Sequence, residues 1–247
     1  MKFRDLPILK RLIPTIGKRA APFIWPRGWR VAEYRGALFL VNYFTYLDRR
    51  IGFARDWECE QIGYFLNYVS ARRPDVFLDI GACGGLYAIL VAKSGCCERI
   101  IAFEPDPRCR ERFLANAHLN NLSGRIEIRA EAVSGQNGTL PFFCETAFAM
   151  GKSRVRSNGD LTVRCVRLDD ALAELCGKRV AIKIDVEGHE VDVVVGMKSL
   201  LTSNTCFLQM ECFDDHVHVV NAKLADFGYR LVHEIGPDKY FANDKTI

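Results

Sequence analysis

Between residue 75 and the C-terminus, short apolar runs alternate with longer stretches in which apolar side chains recur every three or four positions. The first pattern is that of buried strands and the second that of amphipathic helices. Strands are predicted over 76–80, 99–103, 125–133, 139–144, 161–166, 180–184, 205–211, 229–233 and 239–242, and helices over 86–93, 107–120, 168–176, 190–201 and 217–226. Upstream, 29–34 and 37–43 flank Arg35-Gly36 and read as a β-hairpin. Residues 58–72 place Ile62, Phe65, Leu66 and Val69 at helical spacing before Arg72-Arg73-Pro74 ends the run. Pro7, Pro14, Pro22 and Pro26 leave the first 28 residues irregular. Alternating strands and helices imply an α/β fold: a doubly wound, mostly parallel sheet with a C-terminal antiparallel hairpin. The expected division is a small N-terminal appendage, 1–57, and a main domain, 58–247.

Composition narrows the class. With 247 residues, 49% hydrophobic and 26% charged, the chain can bury the core of one ordinary domain. That excludes a disordered chain, a collagen-like repeat and a disulfide mini-scaffold. Apolar runs such as 88–92 are far too short to span a bilayer, and Lys10, Arg11 and Pro14 break the stretch that a secretory signal would need. The 34 Lys and Arg against 30 Asp and Glu are unevenly spread: residues 1–35 hold nine cations against Asp5 and Glu33. This segment is read as a solvated arm that could also meet anionic lipid, nucleic acid or an acidic substrate. The ten cysteines form no Cys-x-x-Cys pair, which fits reduced thiols in a cytoplasmic protein and no structural zinc.

Three motifs carry chemistry. Asp79-Ile-Gly81-Ala-Cys83-Gly84-Gly85 follows a predicted strand and opens a predicted helix, at the sheet edge where ligands bind in open α/β folds. Its glycines permit a sharp turn and close approach of a ligand to backbone N–H groups, but the spacing is not that of the dinucleotide fingerprint. Glu104, in Phe103-Glu104-Pro105 at the end of the next strand, is placed to accept both ribose hydroxyls of a nucleoside. Lys183-Ile-Asp185-Val-Glu187-Gly188-His189-Glu190 sets five ionisable groups within eight residues at another strand end. Lys183, Asp185 and Glu187 share a face if the strand persists, which suits acid–base work or a divalent ion.

With Ala132-Val133-Ser134 and Leu168-Asp169-Asp170, these strings, in this order, resemble the FkbM family of S-adenosylmethionine-dependent methyltransferases from about Glu58 onward. The resemblance implies a Rossmann-like methyltransferase sheet, S-adenosylmethionine as cofactor, and O-methylation of a sugar or other small-molecule or glycan acceptor. It implies that Asp79, Gly81, Cys83 and Gly85 form the methionine-binding turn, Glu104 the ribose ligand, and Glu131 and Ala132 the adenine wall. It also implies that Asp185 faces the methyl group, with Glu187 and His189 beside it. Cys83 departs from the family, which usually has Asn there, and a thiol is a poor donor.

Asp185 or His189 is expected to take the hydroxyl proton, with Glu187 or Glu211 orienting the acceptor. A divalent ion held by Asp185, Glu187 and Glu211 is not the reading adopted, and Asp214-Asp215-His216-Val-His218 is read as surface polarity on a helix. The Lys152-Ser-Arg154-Val-Arg156 cluster leaves an anionic acceptor open. Two rivals remain: a nucleic-acid methyltransferase gripping phosphates with its basic segment, which lacks a base-amine motif here, and a non-catalytic nucleoside-binding domain.

Overall fold

The structure is a computed structural model and describes residues 28–146, 149–212 and 214–244. The basic segment over 1–27, and the lipid contact expected of it, lie outside the described residues. The hairpin pairs β1 (Trp29–Tyr34) with β2 (Ala37–Asn42). A short helical stretch over 46–54 leads to α1 (Cys59–Arg72), β3 (Val76–Ile80), α2 (Leu86–Ser94), β4 (Arg99–Phe103) and α3 (Pro107–Leu119). The next strands are β5 (Glu127–Arg129), β6 (Ala132–Val133), β7 (Gly138–Phe143), β8 (Arg154–Val155) and β9 (Leu161–Val166). The chain then runs through β10 (Arg179–Ile184), α4 (Glu190–Val195), α5 (Lys198–Ser203) and β11 (Thr205–Glu211). It ends in α6 (Asp214–Asp226), β12 (Arg230–Ile235) and β13 (Asp238–Ala242).

Seven strands form the central sheet in the order β12-β13-β11-β10-β3-β4-β5, parallel from β11 to β5, with β13 antiparallel to both its neighbours. The α/β class, the mostly parallel sheet and the C-terminal antiparallel hairpin therefore stand. Strand order reverses between β3 and β10, and a crevice at their carboxyl ends is the expected ligand position. Every residue of β3 is buried because both sheet faces are covered. Phe77 and Ala181 face one core with the hairpin, α1 and α2, and Leu78, Ile80, Ile182 and Ile184 face the other with α4, α5 and α6.

Three predicted elements differ. The strand expected over 125–133 is two, because β4 ends at Phe103 and leaves nothing for residues after Arg129 to pair with. The chain crosses instead to a second sheet, order β6-β9-β7-β8. The helix expected over 168–176 is a single turn, Leu168–Ala171. Asp169 is drawn to the start of α5, its carboxylate accepting from the Leu200 N–H, and a stretch this short gains little as helix. The helix expected over 190–201 breaks at Gly196, where a Cβ would fall 1.9 Å from the Ser134 carbonyl oxygen.

The hairpin docks on α3 through side chains that replace a neighbouring strand. Leu40 N–H donates to Asn116 and Leu38 N–H to Asn120, while Arg112 Nε donates to the Leu40 carbonyl. These three residues lie four apart on one helix face, so they follow the backbone of β2 as a ladder would. Arg112 also pairs with Asp48, whose side chain is fully buried, and Asn116 donates to the Gly84 carbonyl at 2.8 Å. The hairpin is thereby tied to the Gly-rich turn.

Removing one partner of a buried pair leaves the other charge uncompensated, so Arg112→Ala is expected to cost about 3–5 kcal/mol in chemical denaturation. Arg112→Lys should cost less, because it keeps the charge.

Candidate active site

The residues singled out above converge at the switch point. Asp79 on β3 pairs in register with Lys183 on β10, Lys183 with Gln209 on β11, and Gln209 with Tyr240 on β13. One side-chain row thus runs across four strands on one face of the sheet, and all four residues are buried. Asp79 Oδ2 accepts from the Ala88 N–H at 3.0 Å, anchoring the start of α2. Burial pushes its carboxyl up to about 7, against the pull of Lys183.

The turn after β3 is fixed by its glycines. Gly81 has φ +80, and a Cβ there would sit 1.8 Å from the Asp185 carbonyl oxygen, so the turn abuts the segment after β10. Gly85 also has φ +80 but lines neither of the two cavities described below; the ring of Phe113 occupies the place its Cβ would take. Cys83 N–H donates to Glu104 Oε2 and Asp106 N–H to Oε1, both at 2.7 Å. Burial raises the Glu104 carboxyl to about 7, while these two N–H groups pull it back.

Two cavities meet here. The smaller is lined by Gly81, Cys83, Glu104, Glu131, Ala132, Asp185 and His189, and Gly151, Ser153 and Val155 border it from the β7–β8 side. At about 40 Å³ it has room for a few waters. Ser153 Oγ donates to Asp106 at 2.9 Å, fastening that border to the start of α3. The larger, about 1030 Å³, holds Asp79, Lys183, Asp185, Glu187 and Glu211, and is walled by residues of the 39–61 region. Gly81, Cys83, Gly151 and Asp185 line both.

Lys183 is 3% exposed, with Nζ 3.4 Å from Asp238 and 3.6 Å from Asp185. Burial alone would lower its pKa, but Asp185, Asp238, Glu58 and Glu211 hold the ammonium protonated well above its ordinary range. Burial, then Asp185, pushes Glu211 up to about 8, and burial also raises Glu58 and Glu187. The strand does not persist to Glu187: β10 ends at Ile184 and Glu187 takes φ +52. The acids share the larger cavity rather than one strand face. Glu58, Cys83 and Glu187 are all non-glycine residues at positive φ lining it, a concentration of strain typical of functional sites.

His189 belongs to the smaller cavity. Its Nε2 lies 3.0 Å from Ser134 Oγ and its Nδ1 3.4 Å from Asp192, and burial lowers its pKa. His216 is more than surface polarity, since its Nδ1 is 3.1 Å from the buried Glu190 carboxylate. Among the described residues, no group of three or more His, Cys, Asp or Glu is arranged to hold a metal ion. No described helix is long and apolar enough to cross a membrane.

Sequence reasoning missed Glu58, Tyr87 and Asp238. Tyr87 donates to Glu58 at 3.0 Å, and Gln209 Nε2 donates to both Tyr87 and Asp238. No motif marks them. Their one signal is register, since Asp238 opens the strand beside β11.

Asp79, Glu104 and Glu211 bind protons more tightly folded than unfolded, so their contribution to stability is complete below about pH 4 and lost as pH rises through about 7 to 8. His189, with a lowered pKa, acts oppositely, below about pH 6.5. The Tm of the ligand-free protein should therefore fall between about pH 5.5 and about pH 8, and Glu104→Gln should flatten that fall.

This chain is similar to known proteins. Hexuronic acid methyltransferase AglP of Haloferax volcanii is 28% identical over 174 residues, covering 70% of this chain and 70% of its own length. The 2-O-methyltransferase NoeI of Sinorhizobium fredii is 29% identical over 166 residues, covering 60% of this chain and 67% of its own. A crystal structure of methyltransferase FkbM from Methylobacillus flagellatus KT aligns with a TM-score of 0.48 at 18% identity, covering 69% of this chain and 43% of that one. The family described as the methyltransferase FkbM domain matches residues 79–231. That span takes in the Gly-rich turn, Glu104 and the acidic segment after β10, and the chain belongs to the methyltransferase FkbM domain family.

Proposed function

We propose that this chain transfers a methyl group from S-adenosylmethionine to a hydroxyl of an uncharged sugar or sugar-bearing acceptor. The observation that carries the reading is the position of Asp185, where the pocket containing Glu104 meets the acid-lined cavity. The name of one relative, a 2-O-methyltransferase, supports oxygen as the methylated atom, and that of the other, a hexuronic acid methyltransferase, supports a sugar-derived acceptor, although a uronic acid is charged.

The smaller pocket fits the adenosyl end of the cofactor by its donor set. Glu104 keeps lone pairs free after accepting two N–H groups and can take both ribose hydroxyls. Glu131 and Ala132 border the space where an adenine would lie. The pocket is narrow with Ser153 fastened to Asp106, so nucleoside entry would lift the Gly151–Val155 border and release that hydrogen bond. When bound, S-adenosylmethionine supplies an electrophilic methyl on a positively charged sulfur.

Asp185 then does the work at the junction. Lys183 Nζ engages its Oδ2, leaving Oδ1 to orient the acceptor hydroxyl and receive its proton. His189 is the weaker choice of base, because it lines only the smaller pocket and its Nε2 is engaged by Ser134. Glu187 and Glu211 border the acceptor cavity, where carboxylates suit further sugar hydroxyls.

Charge favours an uncharged acceptor. Nine Asp and Glu line the larger cavity against Arg50, Arg112, Lys152 and Lys183. Of those four cations, Arg50, Arg112 and Lys183 already pair with Asp56, Asp48 and Asp238. The cluster at 152–156 does not reverse this, since Lys152 alone of it reaches the cavity while Arg154 and Arg156 lie over the Phe143 ring. The same lining disfavours a phosphate backbone.

Calorimetry with S-adenosylhomocysteine should give binding that Glu104→Ala weakens by about tenfold or more. Asp185→Asn should keep most of that affinity yet lose about 10²–10⁴ in transfer to neutral sugars. A folded protein without cofactor affinity, or one that methylates uronic acids and ignores neutral sugars, contradicts the reading.

A further inference from the structure

Cys83 and Cys109 face each other beneath the Gly-rich turn, their sulfurs 3.7 Å apart. Cys83 sits in the turn itself at φ +48, with its N–H on Glu104. Cys109 is buried near the start of α3, the helix that begins just beyond Glu104. The two thiols thus approach one another at the carboxylate assigned to the ribose.

We propose that this pair is a redox modification site: oxidation joins Cys83 to Cys109 in a disulfide that weakens cofactor binding. The inference rests on the smaller pocket being the cofactor pocket. Cys83 lines both cavities and is only half-buried, so a dissolved oxidant can reach it. Cys109 is buried whereas Cys83 is only half-buried and lines the cavities, so Cys83 is the attacking sulfur.

The chemistry needs an external oxidant, and a low-molecular-weight disulfide such as glutathione disulfide serves. The Cys83 thiolate attacks one of its sulfurs and releases one glutathione thiolate. Cys109 then gives its proton to solvent, attacks Cys83 Sγ and displaces the second glutathione. One disulfide has been reduced to two thiols, and two cysteines have been oxidised to one cystine.

A disulfide bond is about 2.05 Å long, so the sulfurs must close by more than an ångström and a half. Cys109 is held on a packed helix, whereas Cys83 stands on a turn, so the turn moves. Its movement draws the Cys83 N–H from Glu104 and displaces backbone that lines the pocket. Linkage requires the converse as well: bound cofactor disfavours the bridge by the same factor.

The test treats the full chain with glutathione disulfide, maps its peptides and titrates S-adenosylhomocysteine before and after. The expected result is a Cys83–Cys109 linked peptide without retained glutathione, and a Kd weakened by about tenfold or more that dithiothreitol restores. Untreated Cys109→Ser should bind as the reduced wild type does, and after treatment it should retain glutathione on Cys83 as the trapped intermediate. Glutathione retained on wild-type Cys83 with no linked peptide overturns the proposal, as does a linked protein with unchanged Kd. If the reduced wild type shows no affinity, the cofactor reading and the effect on affinity both fail, while the peptide map still decides whether the bridge forms.

Discussion

One buried ammonium, that of Lys183, makes the acid-lined face of this sheet tenable. Withdrawing a lysine from water costs several kcal/mol, and leaving four carboxylates together without a cation costs comparably. Set in the middle strand between Asp79 and Gln209, Lys183 offsets both costs at once, through Asp238 on one side and Asp185 on the other. The ring of Tyr87, with Lys183 Nζ 5.5 Å from its centroid, and the Gln209 amide complete the surroundings. Asp185 can therefore stand at the junction of two cavities with its Oδ2 held by Lys183.

The second constraint is backbone contact. Because Gly81 lets the turn after β3 press against the Asp185 carbonyl, the smaller and the larger cavity share a wall four residues wide. The hairpin bears on the same wall, since Asn116 holds β2 with one end of its amide and the Gly84 carbonyl with the other. Residues 39–61 thus supply much of the larger cavity although they precede the span matched by the family.

The sequence made legible what local chemistry dictates. Asp79, Glu104 and the 183–190 string each stand at a strand's carboxyl end, so predicting the strands placed them at one edge. Glu58 and Asp238 were not legible, because what brings them to Lys183 is the docking of α1 and the register of β13, which no local pattern encodes. Gly85 shows the opposite case: its place in a motif suggested ligand binding, whereas the neighbour that requires a glycine is Phe113, far along the chain. The strand over 125–133 alternates well enough to read as one, and only the end of β4 at Phe103 divides it between two sheets.

The proposed function divides the site at Asp185, with the nucleoside on one side and the acceptor on the other. A crystal structure of the complex with S-adenosylhomocysteine tests it most directly. The expected complex has the ribose hydroxyls on Glu104, the adenine beside Glu131 and Ala132, Ser153 released from Asp106, and the sulfur at the junction facing Asp185. A nucleoside lying in the larger cavity, with Glu104 untouched, would contradict it.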